Sequence, residues 1–162
     1  MKRRRFILAM FAVAMMPLMS RSVSAGMEKE DGIKKWQLSE KEWKKRLTPR
    51  QYDILREEGT ERPHSSPLDK EKRRGLYVCA ACELPLFESS MKYDSGTGWP
   101  SFFTTLPNAV DTKNDFSLFY PRTEYHCARC GGHQGHVFDD GPEPTGKRYC
   151  NNGVALSFIP EN

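Results

Sequence analysis

Two C-x-x-C pairs constrain this 162-residue chain more than any other feature. The pairs are Cys79 with Cys82 and Cys127 with Cys130, and each lets the chain turn tightly enough for two sulfurs to face one ion. Gly131 lets the backbone fold close to the second pair. Four thiolates around a tetrahedral centre favour zinc, with iron as the main competitor. The pattern predicts a closed structural metal site with one zinc ion and no open position for substrate.

Residues 1–25 have the anatomy of a signal peptide. A basic segment, Lys2–Arg5, precedes an apolar run, Phe6–Met19, and the small residues Val23 and Ala25 suit cleavage after Ala25. The apolar run is too short for an ordinary membrane-spanning helix. We therefore expect export to the periplasm or beyond, by a general or a twin-arginine route, with no stable membrane association after cleavage.

If the protein is exported, the paired cysteines could form disulfides instead of binding a metal. An oxidising compartment can convert thiols into disulfides. Here a disulfide would have to close within each tight turn or run between the two turns. Two C-x-x-C pairs fit a metal site better than they fit such bridges, so we expect the metal.

The charge of the chain argues against nucleic acid as a partner. The formal charge of +4 becomes −1 without the five basic residues of the predicted signal peptide, which contains no acidic residue. Binding to nucleic acid depends chiefly on positive charge that neutralises phosphates. A nearly neutral chain without a basic stripe lacks that feature.

Two short helices are predicted near the start of a single domain that covers residues 36–162, after a flexible lead-in at 26–35. Ser39 and Glu42 form a capping-box pattern that opens the first helix, which runs to Leu47. Thr48 is placed to cap the second helix, and Gly59 is placed to end it. Both helices are too short to be stable alone, so they must pack on the remainder of the domain.

The rest of the domain is predicted to be an antiparallel β body. From residue 76 onward, short β-prone runs alternate with Gly, Pro and Asn, and no crossover helix of useful length fits between them. The predicted strands are 76–78, 86–87, 116–120, 123–126, 136–138, 148–150 and 155–159.

Cys150 is the one cysteine left over when the other four are paired. A lone cysteine is most often a small buried apolar residue. Arg148, two residues earlier on the same face of a predicted strand, would lower the pKa of the thiol and favour the reactive thiolate. Cys150 is therefore a candidate nucleophile.

His133 and His136 lie in a glycine-rich stretch and are candidates to approach one point in space. No H-E-x-x-H pattern supplies further ligands for a catalytic metal. The two histidines are either ordinary loop residues or, together with Cys150, general acids or stabilisers of a thiolate.

Several of these stretches together resemble the methionine-R-sulfoxide reductase family, the B-type methionine sulfoxide reductases. The stretches are G-T-G-W-P-S-F at 96–102, R-C-G-G-H-Q-G-H-V-F-D-D-G-P at 129–142 and R-Y-C-N-N-G-V-A-L-S-F at 148–158, with L-T-P-R-Q-Y and E-E-G-T-E-R-P nearer the start. The resemblance covers about 36–158. It implies curled antiparallel β-sheets with two short N-terminal helices, a structural four-cysteine zinc site, and reduction of methionine R-sulfoxide, free or in proteins, as a repair of oxidative damage.

The resemblance also implies roles for individual residues. Cys150 matches the catalytic cysteine, and Trp99 matches a tryptophan that helps to enclose the methyl group of the substrate. The remaining matches are polar residues expected around the thiol or the substrate: His133, His136, Asn152, Arg148 and Asp140. Thiolate attack on the sulfoxide would leave a sulfenic acid on Cys150.

One position departs from the pattern of many family members. Thr97 stands where they carry a resolving cysteine, and no cysteine outside the predicted metal site replaces it. We therefore expect an external thiol, from a thioredoxin-like protein or a small molecule, to reduce the sulfenic acid.

Two alternatives from other classes stay open at this point. The first is a non-enzymatic zinc-knuckle binding module in which Cys150 is part of the core. The second is a rubredoxin-like iron protein, which would be coloured.

Overall fold

The computed structural model describes residues 32–116 and 120–161. The predicted signal peptide at 1–25 and the first part of the lead-in therefore lie outside the described residues. In the described part of the chain, no helix has the length and apolar character needed to cross a membrane.

The two N-terminal helices form where their capping residues predict them. α1 spans Glu40–Arg46 and α2 spans Pro49–Glu57. The Ser39 hydroxyl accepts the backbone N–H of Glu42, whose side chain in turn accepts the N–H of Ser39. Thr48 and Gln51 make the equivalent reciprocal pair at α2. α2 ends one residue earlier than predicted, because Glu58 rather than Gly59 adopts the left-handed conformation.

Nine antiparallel strands form within the described ranges, in two sheets. The strands are β1 Gly75–Cys79, β2 Pro85–Glu88, β3 Lys92–Tyr93, β4 Ser101–Phe102, β5 Val110–Asp115, β6 Arg122–Cys127, β7 His133–Phe138, β8 Arg148–Asn151 and β9 Leu156–Pro160. The smaller sheet has three strands in the order β2, β1, β9, and the larger has six in the order β3, β4, β8, β7, β6, β5. The predicted mainly β fold of antiparallel sheets with two short helices is confirmed.

One predicted strand is wrong in the part that the structure describes. Phe116 and Tyr120, the ends of the predicted strand 116–120, are not in a strand, while residues 117–119 lie outside the described ranges. The pairing partner of β6 is instead the polar segment β5. The prediction followed aromatic content, whereas this pairing is set by the hairpin register between β5 and β6.

An aromatic core joins the two sheets. Phe87 of β2 stacks on Phe102 of β4, with ring centroids 3.9 Å apart, and Tyr77 of β1 meets Phe102 edge-on at 5.0 Å. Tyr125 of β6 contacts Phe87 at 6.3 Å and Tyr149 of β8 at 5.3 Å. Offset and edge-on aromatic pairs of this kind stabilise a core beyond the area they bury. The opposite face of the six-stranded sheet is thereby left to carry the polar residues of the site.

Candidate active site and metal centre

The four paired cysteines come together at one buried point. Their sulfurs all lie within 4.8 Å of one another, with Cys79 and Cys130 at 3.7 Å and Cys82 and Cys127 at 3.5 Å. None of the four forms a disulfide, and all are buried. The predicted grouping of these cysteines is confirmed, and four buried thiols at this spacing are positioned to bind a metal ion.

Each C-x-x-C pair occupies the turn that follows a strand, and both turns close in the same way. The N–H of Glu83 donates to the carbonyl of Cys79, and the N–H of Gly131 donates to the carbonyl of Cys127, each at 2.8 Å. Both donor residues have left-handed backbones, with φ of 60° and 66°. Because Cys79 ends β1 and Cys127 ends β6, a shared ion would connect the smaller sheet to the larger one.

Cys150 lies in β8, in the interior of the six-stranded sheet, between β4 and β7. It faces Ser101 on one side and His136 on the other. Directly opposed residues in an antiparallel pair point to the same face of the sheet, and so do residues two apart on one strand. This rule brings Cys150, Arg148, His136 and Phe138 to a single face.

A β-bulge brings His133 to that face as well. In a regular strand, residues 133 and 136 would point to opposite faces, but the register between β6 and β7 shifts so that His133 pairs with His126 and Gly135 pairs with Tyr125. The extra residue, Gln134, absorbs the shift. The His133 and His136 rings consequently meet edge-on, with centroids 5.5 Å apart.

A pocket of about 240 Å³ opens above Cys150. Five of the predicted residues line it, namely Trp99, His136, Arg148, Cys150 and Asn152, together with Thr60, Thr97, Arg122, Gly135, Phe138 and Asn151. His133 and Asp140 are not among the lining residues. The sequence analysis predicts no role for Thr60, Arg122 or Phe138. For Phe138, its position two residues after His136 in a predicted strand indicates that it lies on the same face of the sheet as His136.

Opposing influences act on the Cys150 thiol. Burial raises its pKa above the ordinary value, while the positive charge of Arg148 and hydrogen bonds from Thr97 and Arg148 act in the opposite direction. The negative charge of Asp140 adds to the raising effect. The predicted influence of Arg148 is therefore present, but the pKa of the thiol is raised overall.

Arg148 is fixed beside the thiol by two contacts. Its Nε and Nη2 atoms donate to the two carboxylate oxygens of Asp140 at 2.8 and 2.9 Å. The guanidinium also lies over the ring of Phe138, 4.3 Å from its centroid. Asp140, which is largely exposed, thus reaches the site through Arg148.

A carboxylate lies beside a ring nitrogen of each of the two histidines. His136 Nε2 is 2.7 Å from Asp115 Oδ2, and the same oxygen accepts from Arg122 at 2.6 Å. His133, which is 2% exposed, has its Nδ1 2.9 Å from Glu124 Oε1. Burial is the largest influence on the His136 ring and lowers its pKa, although the hydrogen bond with Asp115 opposes that effect. His136 is therefore mainly neutral near pH 7.

Asn152 is buried, and its side-chain amide is already engaged on both ends. Its Oδ1 accepts the backbone N–H of Glu61 at 3.0 Å, and its Nδ2 donates to the Gln134 carbonyl at 3.1 Å. The Asn152 side chain therefore ties the residue that follows β8 to the bulge of β7 and to the loop that contains Glu61.

Comparison with known proteins gives a consistent result. A family model described as the SelR domain matches residues 47–160. The chain is 56% identical over 124 residues to the peptide methionine sulfoxide reductase MsrB of Methanosarcina barkeri. The aligned residues make up 76% of this chain and 87% of that protein. It is 54% identical over 123 residues to the Agrobacterium fabrum protein of the same name, covering 75% of this chain and 91% of the relative.

A chloroplast relative is similar over a smaller share of its length. The peptide methionine sulfoxide reductase B1 of Arabidopsis thaliana is 57% identical over 122 residues, which make up 75% of this chain and 60% of that protein. The family resemblance carried by the sequence motifs is thereby confirmed. The chain belongs to the SelR domain family, the B-type methionine sulfoxide reductases.

Proposed function

We propose that this chain is a thiol-dependent oxidoreductase that reduces methionine R-sulfoxide, free or in proteins, and so repairs oxidised proteins. Membership of the family supports the reaction class. The observation that carries the proposal is the placement of Cys150, the one cysteine outside the buried group of four, at a pocket that also contains Trp99 and His136. A non-enzymatic zinc-knuckle module would have no use for such a thiol.

The pocket provides the two surfaces that a methyl sulfoxide needs. We assign the methyl group to the apolar side of the pocket, where Trp99 and Phe138 contribute aromatic rings. We assign the sulfoxide oxygen to the side of His136, which lies on the face of Cys150 and whose neutral ring can take up the proton of the Cys150 thiol and pass it to that oxygen. Asn152 and His133 have a supporting role beside this side of the pocket. The Asn152 amide bonds to the backbone of Glu61 and Gln134, and His133 Nδ1 lies 2.9 Å from Glu124 Oε1.

The reaction transfers one oxygen atom from sulfur to sulfur. The Cys150 thiolate attacks the sulfoxide sulfur as the oxygen is protonated; the S–O bond of the substrate breaks, and an S–O bond forms on Cys150. Methionine is released, and Cys150 is oxidised by two electrons to a sulfenic acid. Arg148 stabilises the attacking thiolate by its charge.

An external thiol completes the cycle. It condenses with the sulfenic acid to give a mixed disulfide and water, and a second thiol then releases Cys150 as the free thiol. The four remaining cysteines are buried together, and Thr97 occupies the position beside Cys150. A thioredoxin-like protein or a small thiol is therefore the reductant that fits this site.

Zinc is the metal we assign to the four-cysteine site. Zn–S bonds of about 2.3 Å in a tetrahedron place sulfurs roughly 3.8 Å apart. The separations of 3.7 and 3.5 Å are close to that value. When bound, zinc supplies a crosslink between the two sheets, and it takes no part in the chemistry at Cys150.

Export through residues 1–25 is a separate proposal that rests on the basic and apolar segments of that region. N-terminal sequencing of the protein recovered from the periplasm or medium is expected to begin at Gly26. A cytoplasmic protein that retains Met1 or begins at Lys2 would contradict it.

The Cys150→Ser variant tests the proposed function. With dithiothreitol as reductant, the unmodified chain should convert methionine R-sulfoxide to methionine, and the variant should fall to the background rate, because serine is a far weaker nucleophile toward the sulfoxide. Metal content and the far-ultraviolet circular dichroism spectrum serve as controls for folding. Full activity in a folded variant would contradict the proposal.

A further inference from the structure

Glu61 holds the turn that follows the Cys150 strand. Its side chain is 1% exposed, and its carboxylate accepts the backbone N–H groups of Gly153 at 2.5 Å and of Val154 at 3.2 Å. These two residues come directly after the segment Cys150–Asn152. A side chain built on Gly153 would collide with Ser66 and press on the Glu61 carboxylate, so the approach is close.

The backbone of Glu61 contacts two residues that line the pocket. Its N–H donates to Oδ1 of Asn152 at 3.0 Å, and its carbonyl accepts the indole N–H of Trp99 at 3.2 Å. Thr60, the preceding residue, itself lines the pocket. One residue thus fixes the aromatic side of the pocket relative to the strand that carries the thiol.

We infer that Glu61 is a positioning residue that sets the separation between the Trp99 indole and the Cys150 sulfur, and thereby the preference for a methyl group on the sulfoxide. This inference rests on the proposed function. If the carboxylate loses one of its two backbone donors, the loop at Glu61 is held less tightly against the segment that follows β8. The indole then moves with the Glu61 carbonyl, and the pocket admits a larger alkyl group.

The Glu61→Gln variant keeps the shape of the side chain and removes one acceptor. An amide NH₂ cannot accept a hydrogen bond, so one of the N–H groups of Gly153 and Val154 is left without its partner. We expect KM for N-acetylmethionine R-sulfoxide to rise severalfold while kcat changes less than twofold. The preference for the methyl over the ethyl sulfoxide, N-acetylethionine R-sulfoxide, should fall at least threefold.

The ratio of kcat/KM for the two sulfoxides separates positioning from a general loss of stability. Both substrates meet the same preparation, so the ratio does not depend on the fraction of protein that is folded. Asp69→Asn is the matched control, because Asp69 is also a buried carboxylate in the following loop but its side chain faces His64 and Lys70. We expect the ratio for this control to equal that of the unmodified chain.

A spectroscopic measurement tests the same inference without activity. The indole N–H resonance of Trp99, identified by its absence in Trp99→Phe, should shift and exchange faster with solvent in Glu61→Gln. The resonances of Trp36 and Trp43 should not move, because neither indole is hydrogen-bonded to Glu61. If Glu61→Gln does not fold, Glu61→Asp should show the same changes, because its side chain is shorter by one methylene and its carboxylate is withdrawn from both N–H groups.

An unchanged methyl-to-ethyl ratio, or an unmoved Trp99 resonance, overturns the inference even when the unmodified enzyme is fully active. Failure of the unmodified chain to reduce either sulfoxide would instead overturn the proposed function. In that case the Trp99 resonance alone decides whether Glu61 positions the indole.

Discussion

The reactivity of Cys150 is set by a balance between burial and two neighbouring charges. Burial raises the pKa of the thiol, Arg148 lowers it and Asp140 raises it. In the proposed reaction the Cys150 thiolate is the nucleophile, so the rate at a fixed pH is expected to follow the fraction of thiol that is ionised. A small change in the Arg148–Asp140 pair therefore changes the rate.

Arg148→Ala and Asp140→Asn are expected to move that balance in opposite directions. Removing the positive charge raises the pKa of Cys150, so the pH profile of its alkylation by iodoacetamide should shift to higher pH. Removing the negative charge lowers the pKa and should shift the profile to lower pH. Lys147→Ala is a control, because the Lys147 ammonium pairs with Asp139 instead.

Two shifts in the same direction, or no shift in either variant, would show that the charges of this pair do not control the thiol. In Asp140→Asn, the loss of the bidentate partner of Arg148 should lower kcat/KM and so oppose the gain from the larger thiolate fraction. The effect should be modest, because Arg148 keeps its contact with Phe138.

At the scale of elements, the parts of the fold with a local chemical signature were predictable, and the others were not. Ser39 and Thr48 define both helix starts, because a capping hydroxyl acts on N–H groups three residues away. β5 was missed, because Val110–Asp115 is mostly polar and exposed and is held by its pairing with β6. The two-residue strands β3 and β4 are too short to leave a pattern.

In the candidate site, too, some features have a local sequence signature and others depend on contacts between distant segments. The strand that carries Cys150 and Arg148 follows from a short β-prone run next to turn-forming residues, and the two-residue spacing puts both side chains on one face. The bulge at Gln134 depends on pairing with β6 and has no signature in the spacing of His133 and His136, so their contact could only be proposed. The link from Glu61 to Trp99 and Gly153 joins segments far apart in sequence, which no local pattern predicts.

The capping box of α2 gives a prediction at this scale. Thr48→Ala removes the acceptor of the Gln51 N–H and should lower the free energy of unfolding by about 1 kcal/mol. Thr48→Ser, which keeps the hydroxyl, should restore most of it. Urea denaturation followed by circular dichroism measures both, and an alanine variant as stable as the parent would contradict the role of the cap.

At the scale of the whole molecule, the four-cysteine site is expected to hold the fold together, because Cys79 ends a strand of one sheet and Cys127 ends a strand of the other. A structural zinc site contributes roughly 10–16 kcal/mol of apparent binding free energy. The stability of a typical domain is only about 5–15 kcal/mol. The chain without metal is therefore expected to lose cooperative folding.

Removal of the metal tests this dependence. Treatment with a strong chelator, or the Cys82→Ser substitution, should abolish the cooperative thermal transition and expose the aromatic core to solvent. Elemental analysis of the untreated protein should find one zinc per chain and no iron, and a colourless preparation agrees with that. A chelated protein that unfolds at the original temperature would show that the cysteines do not crosslink the sheets through a metal.

Cys150 is proposed to accept the oxygen of methionine R-sulfoxide. Intact-mass spectrometry after one equivalent of each epimer, without reductant, measures that step in a single turnover. The R epimer should add the mass of one oxygen atom, located by peptide mapping to Cys150, with one equivalent of methionine released, and the S epimer should add none. A chain that gains no oxygen from the R epimer, or gains it at another residue, would contradict the account.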